Sequence, residues 1–281
     1  MTVMTRTGIE DRQEDNKIMV CLDVDGTLVD HDGAMSPAVK EAAHAVVAAG
    51  HEVVISTGRS LGATLPVIRI LGIESGYAVC CNGGITVRID MGLPDGYEVI
   101  DRRTFDPAPA LIALRQALPT AKYALEDNHG NFLSTSRFQD ASFGVVAQAV
   151  DFEKMLAATA VRLVVFSTDS TAEEFGEAVA AIGLHGVTYS VGWTAWLDIA
   201  AEGVSKASAL EMLREQLGFE VADTLAVGDG RNDIEMLGWA GRGVAMGQAP
   251  DEVKAAADEV TDSVDQDGLV LVLAGLPVPA L

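Results

Sequence analysis

Short apolar runs that stop abruptly at acidic or glycine-rich turns constrain this chain more than any other feature. Ile18-Met19-Val20-Cys21-Leu22 is apolar on both alternate sets of positions, so as a strand it must be buried on both faces. It ends at Asp23-Val24-Asp25-Gly26-Thr27. Val53-Val54-Ile55 repeats the pattern and ends at Ser56-Thr57-Gly58-Arg59; a third run, 77–81, ends at Asn82-Gly83-Gly84. Between the first two, Ser36-Pro37 opens a helix whose stripe of Val39, Ala42, Ala43, Val46 and Val47 is closed by Gly50. A second helix is predicted up to about Leu71. Doubly buried strands joined by helices require a parallel sheet covered on both sides.

The rhythm then changes. Residues 85–104 alternate about a turn at 92–96 and read as a hairpin. Residues 105–191 mix helical and strand patterns without the strand-acid-glycine punctuation, which marks an inserted second domain. Parallel-sheet rhythm returns with a helix over 205–217, a strand over 224–227 ending at Gly228-Asp229-Gly230, a helix over 233–240 and a strand over 243–246. The expected organisation is a flexible leader at 1–17, a Rossmann-like α/β core from 18–104 and 192–281, and a mixed α/β insertion at 105–191.

Charge narrows the partners. Forty-one acidic against 19 basic residues leave a formal net charge of −22, a surface that repels nucleic acid and anionic lipid. An anionic substrate must then be drawn in by a local cation, since the global field is screened beyond about 8 Å. The most apolar tail, 269–281, is broken by Gly275, Pro277 and Pro279 and falls short of the about 20 apolar residues a membrane span needs. Residues 1–17 are polar and charged rather than apolar, so a soluble, cytoplasmic protein is expected. Cys21, Cys80 and Cys81 show no metal-ligand spacing and read as buried reduced thiols.

In an open parallel sheet, ligands sit beyond the carboxyl ends of the strands. Asp23 with Asp25, Ser56 with Thr57, and Asp229 with Asn232 and Asp233 all fall at that edge, with Lys206 near the start of a helix. Two carboxylates so close raise one another's pKa unless a cation neutralises them, and a hard cation such as Mg²⁺ suits oxygen donors. Taken singly, Thr57 reads as well as a helix cap, Lys206 as a solvated charge and Asp233 as a first-turn acid. Together they form a set.

That set resembles the haloacid dehalogenase-like superfamily. Asp23-Val24-Asp25-Gly26-Thr27 is similar to its first motif, Thr57 in Ser56-Thr57-Gly58-Arg59 to its second, and Lys206 in Gly203-Val204-Ser205-Lys206 to its third. Gly228-Asp229-Gly230-Arg231-Asn232-Asp233 is similar to the fourth as written in Cof-type phosphatases. The resemblance implies an Mg²⁺-dependent phosphatase acting on small phosphorylated metabolites, sugar phosphates foremost. It implies Asp23 as nucleophile and Asp25 as acid and base. Mg²⁺ would be held by Asp23, Asp229 and the backbone carbonyl of Asp25. Thr57, Gly58, Lys206 and Asn232 would bind the phosphoryl group, with Asp233 orienting Lys206 or metal-bound water. The insertion's place resembles a type-two (C2) cap.

A phosphomutase and a receiver-like binding module share parts of this chemistry; the large insertion speaks against the second. The second acid, Asp25, disfavours carbon–halogen hydrolysis. Gln248 and Asp198 depart from the family's usual Asn and Glu. Glu126, Asn128, His129 and Arg137 are polar residues of the insertion read as loop or surface.

Overall fold

The computed structural model describes residues 17–136, 144, 146–192 and 194–277. Most of the expected leader and Arg137 lie outside the described residues. The first part of the chain gives β1 (Met19–Leu22), α1 (Pro37–Ala48), β2 (Glu52–Ser56), α2 (Leu61–Ile70) and β3 (Ser75–Cys80). The hairpin of β4 (Ile85–Asp90) and β5 (Tyr97–Arg102) follows. The insertion holds α3 (Ala108–Ala117), β6 (Lys122–Asp127), β7 (Phe132–Ser134), β8 (Gln148–Ala149), α4 (Phe152–Leu156), β9 (Ala160–Phe166), α5 (Ala172–Ile182), β10 (Val187–Val191) and β11 (Trp196–Ala201). The chain then returns through α6 (Lys206–Leu217), β12 (Thr224–Gly228), α7 (Ile234–Trp239), β13 (Arg242–Ala245), α8 (Asp251–Lys254), β14 (Glu259–Val260) and α9 (Gly268–Ala274).

Two sheets result. The core sheet runs β14-β13-β12-β1-β2-β3-β4-β5, parallel as far as β3 and antiparallel through the hairpin. β1 sits in its middle, paired in parallel with both β12 and β2, as its apolar run requires. Val20 and Leu22 pack on one face with Val39, Ala43 and Val46 of α1 and Leu269 and Val272 of α9. Met19 and Cys21 pack on the other with Leu210 and Leu213 of α6 and Met236 of α7. At about 1.5–3 kcal/mol for each large aliphatic side chain removed from water, these two layers hold the sheet far more strongly than its exposed ion pairs do.

The second sheet runs β10-β11-β9-β6-β7-β8. Its alternation divides the residues cleanly. Leu125, Leu163, Val165, Leu197 and Ile199 join Leu111 of α3 and Phe175 of α5 in a separate apolar core. This sheet extends past the boundary expected at 191, because β11 is its strand and pairs with β9 and β10. An alternating strand followed by a turn carries no local sign of which sheet it joins, so the sequence placed the return to the core too early. All three cysteines are buried and free. No helix among the described residues is long and apolar enough to cross a membrane.

Candidate active site

The parallel ladder continues one residue beyond two of its strands, and this fixes what projects from the edge. Asp23 N–H donates to Val227 O at 3.0 Å, just past β1, and Thr57 N–H donates to Val79 O at 2.9 Å, just past β2. Lys206 is the first residue of α6. Its approach is set by a reciprocal cap in which Ser205 N–H donates to Ser208 Oγ at 2.9 Å and Ser208 N–H donates to Ser205 Oγ at 3.3 Å. Gly83 presses on the same turn: at φ +101° it adopts a conformation closed to most residues, and a Cβ there would lie 2.3 Å from Ser205 O.

The acids converge. Lys206 Nζ donates to Asp23 Oδ1 and to Asp233 Oδ1, each at 2.6 Å, and the lysine is wholly buried. Asp233 Oδ2 accepts from the backbone N–H groups of Asp229 and Gly230 at 3.0 and 2.9 Å. Carboxylate oxygens of Asp23, Asp229 and Asp233 lie within 4.8 Å of one another. The loop after β1 is folded tightly onto this group. Gly26 has φ +80°, and a Cβ there would sit 2.1 Å from Asp229 Oδ2. Gln248, just past β13, locks the arrangement by donating to Gly26 O at 2.6 Å and to Asp229 Oδ2 at 3.1 Å while accepting from Val264 N–H at 2.9 Å.

Electrostatics follow from that geometry. Burial, then repulsion from Asp233, holds Asp23 well above the usual carboxylate range although Lys206 pulls the other way. Burial and Asp233 likewise push Asp229 up to about 6. Burial works against the Lys206 charge, but Asp23 and Asp233 outweigh it and raise the ammonium's pKa. Three carboxylates around one ammonium leave an excess of negative charge. Asp23 Oδ1, Asp229 Oδ2 and both Asp233 oxygens are already engaged, so the other oxygens of Asp23 and Asp229 are the donors left for a cation. Hard oxygen donors with surplus charge fit Mg²⁺.

Asp25 stands apart from the buried group. Its half-exposed carboxylate is gripped by Arg59, which donates through Nε at 2.9 Å and through a terminal nitrogen at 2.5 Å. Thr57 Oγ1 accepts from Arg59 N–H at 3.1 Å. Asn232 Nδ2 donates to Asn82 Oδ1 at 2.9 Å, and Gly58 faces the same Asn82 amide. The structure therefore gathers Asp23, Lys206, Asp229 and Asp233 in direct contact or close to it, with Thr57, Gly58, Asn232 and Asp25 around them.

Arg59, Asn82 and Gln248 were not among the sequence candidates. Asn82 and Gln248 do follow the ends of β3 and β13, so the strand-end rule applied to every core strand reaches them.

Above this edge lies a cavity of about 340 Å³ between the two sheets, lined by Asn82, Lys206 and Asn232 from the core and by Arg162, Tyr189 and Asp198 from the insertion. Glu126, expected at the surface, is instead buried at this junction and accepts from Cys81 Sγ at 3.3 Å. Its reassignment has a simple cause: Glu126 lies in β6 on the sheet face opposite Leu125. Asn128 and His129 are exposed, as expected of a loop.

Comparison with known proteins agrees with this arrangement. Residues 20–273 match the haloacid dehalogenase-like hydrolase family. The chain belongs to that family. Among its relatives, the pyridoxal phosphate phosphatase YbhA of Escherichia coli K12 is 30% identical over 274 residues, covering 88% of this chain and 96% of its own. The structure of the subclass IIB sugar phosphatase BT4131 superposes with a TM-score of 0.75 at 27% identity, covering 92% of this chain and 98% of that one. The haloacid dehalogenase-superfamily phosphatase BT1666 of Bacteroides thetaiotaomicron gives 0.73 at 28% identity, covering 97% and 100%. The chain is thus a phosphatase-type hydrolase with a haloacid dehalogenase-like core, and its insertion is the cap.

Proposed function

We propose that this enzyme hydrolyses phosphate monoesters of small metabolites, sugar phosphates foremost, with Mg²⁺ and through an aspartyl phosphate on Asp23. The observation that carries the reading is the buried Asp23 carboxylate held 2.6 Å from Lys206 within the Asp23–Asp229–Asp233 cluster. A carboxylate fixed at a strand end, with an ammonium beside it, is a nucleophile placed where an incoming phosphoryl group would be neutralised. The likeness to a sugar phosphatase supports the substrate class.

In this reading, Asp23 attacks phosphorus and the bond from phosphorus to the leaving oxygen breaks. Asp25 delivers a proton to that oxygen, then takes one from the water that attacks the aspartyl phosphate, which frees Asp23 and releases phosphate. Arg59 holds the Asp25 carboxylate in the structure described, and Asp25 leaves that pair and takes up a proton before the first transfer. Lys206, held ionised by Asp233, and the Thr57 hydroxyl, Gly58 backbone and Asn232 amide bind the phosphoryl oxygens. Asp23, Asp229 and the Asp25 carbonyl would hold Mg²⁺, which when bound offsets the repulsion between nucleophile and phosphate and clamps its oxygens.

The test is phosphate release from a panel of phosphorylated metabolites, with and without Mg²⁺, beside Asp23→Asn. Turnover should require Mg²⁺ and fall by about 10⁴-fold or more in the variant. Folded, metal-loaded protein that releases no phosphate from any ester would end the proposal.

A further inference from the structure

The cap side of the 340 Å³ cavity is built by a cross-strand ladder. Arg162 on β9 stands directly opposite Glu126 on β6. Asp198 on β11 stands opposite Val164, which makes Arg162 its diagonal neighbour on the same sheet face. Arg162 Nε donates to Asp198 Oδ1 at 2.5 Å, and Trp196 Nε1, two residues along β11 and so on the same face, donates to Asp198 Oδ2 at 2.8 Å. The Asp198 carboxylate is therefore aimed by two rigid donors. Arg162 is buried, with its side chain only 3% exposed, whereas 16% of the Asp198 side chain remains open. Of the pair, Asp198 presents the more accessible polar group.

A carboxylate has about four acceptor positions, of which two are used here, and an ion-paired carboxylate donates nothing. What it recognises must bring its own hydrogen. Among the described residues, every cation lining the cavity is already matched to a carboxylate: Lys206 to Asp23 and Asp233, Arg162 to Asp198, and Arg231 to Glu252. A second phosphate or a carboxylate on the leaving group would meet Asp198 and Glu235, and the described residues bring no surplus positive charge to receive it. An uncharged group carrying hydroxyls meets acceptors.

We infer that Asp198 is a specificity-determining residue that accepts a hydrogen bond from a hydroxyl of the leaving group, so that the enzyme selects monophosphates of neutral polyhydroxyl compounds over esters bearing a second anionic group. This rests on the phosphatase reading above and adds to it the residue and the charge of the preferred leaving group.

The experiment measures kcat/KM with Mg²⁺ for glucose 6-phosphate, ribose 5-phosphate, phosphoglycolate and p-nitrophenyl phosphate, in the wild type and in Asp198→Asn. For the better sugar phosphate, the ratio of kcat/KM to that for p-nitrophenyl phosphate should fall about 10–100-fold in the variant, the loss expected for one hydrogen bond to a charged group. The ratio for phosphoglycolate should not fall with it. A folded variant whose ratios equal those of the wild type overturns the inference. Should the variant not fold, the wild type alone decides: it should prefer the sugar phosphate to phosphoglycolate by about 10-fold or more, and parity or the reverse order overturns the inference. A wild type inactive on all four esters instead removes the phosphatase reading, which is a different result.

Discussion

The core edge and the cap wall bury ionic groups in opposite ways. At the core edge, three carboxylates cluster and two of them share one lysine, and the carboxyl pKa values of Asp23 and Asp229 are driven upward. At the cap wall, Arg162 is set between Asp198 and Glu126, and neutral donors, Trp196 and Cys81, each add one hydrogen bond to these acids. Burial raises the Glu126 carboxyl as well, but Cys81 and Arg162 both pull it down. The first region gathers more carboxylate than its one lysine can neutralise. The second pairs its charges within the protein and leaves acceptor positions of Asp198 open, as a wall that positions rather than reacts should.

If the division is right, the largest effect belongs to the exposed acid of the core edge. Asp25→Asn should lower kcat by about 10²–10⁴-fold, the usual worth of acid–base help. Because Asp25 is half-exposed, the melting temperature should barely move, and a steady-state assay with a parallel melt checks both. A cap variant away from Asp198 with an equal loss would blur the distinction.

Next comes the buried support of the lysine. Asp233→Ala removes one of the two partners of Lys206 and the acceptor for two backbone N–H groups, and should cost about 3–5 kcal/mol. At about 2–4 °C for each kcal/mol, a thermal melt should show a fall near 10 °C.

Cation linkage should be smaller and should depend on pH. A carboxyl whose folded-state pKa is raised gives stability that is fully present below its unfolded value and is lost as pH climbs through the folded value. For Asp229 that window runs from 3.8 to about 6, so the metal-free protein should lose stability across it. Mg²⁺ at about 100 times its Kd should then restore about 2.7 kcal/mol at pH 7.5, a melting shift of about 5 °C or more over EDTA-treated protein. At pH 5 the proton competes for Asp229, and the shift should be no more than about half as large. A shift independent of pH would mean that Asp229 is not the linked group.

The smallest effect is expected in the cap. Glu126→Gln keeps an oxygen that accepts from Cys81 and leaves Asp198 to pair with Arg162, so it should change stability by less than about 1 kcal/mol. A loss rivalling that of Asp233→Ala would show the two regions to be alike.

Much of the core was legible because its signals are local. A doubly apolar run with a polar residue at its end declares both a buried strand and the edge at which that residue emerges, and Asp23, Thr57 and Asp229 all follow this rule. Legibility failed where the deciding partner lies far along the chain. Glu126 looked like a loop residue because Arg162 is 36 positions away, and nothing near Trp196–Ala201 shows that this strand pairs with β9. Arg59 was visible as a basic residue beside Thr57, yet only the turn of the loop after β1 brings Asp25 into its reach. Gln248 looked like a departure from the family's usual Asn. It contacts Gly26, Asp229 and Val264 together.

Gly83 carries one last consequence. Its turn is stacked so closely on the start of α6 that a single methyl group would push against the backbone just before Lys206. A survey of inactivated mutants would therefore flag position 83 beside the charged residues, although it offers no functional group of its own. There the working part is empty space, and an inventory of reactive side chains would pass over it.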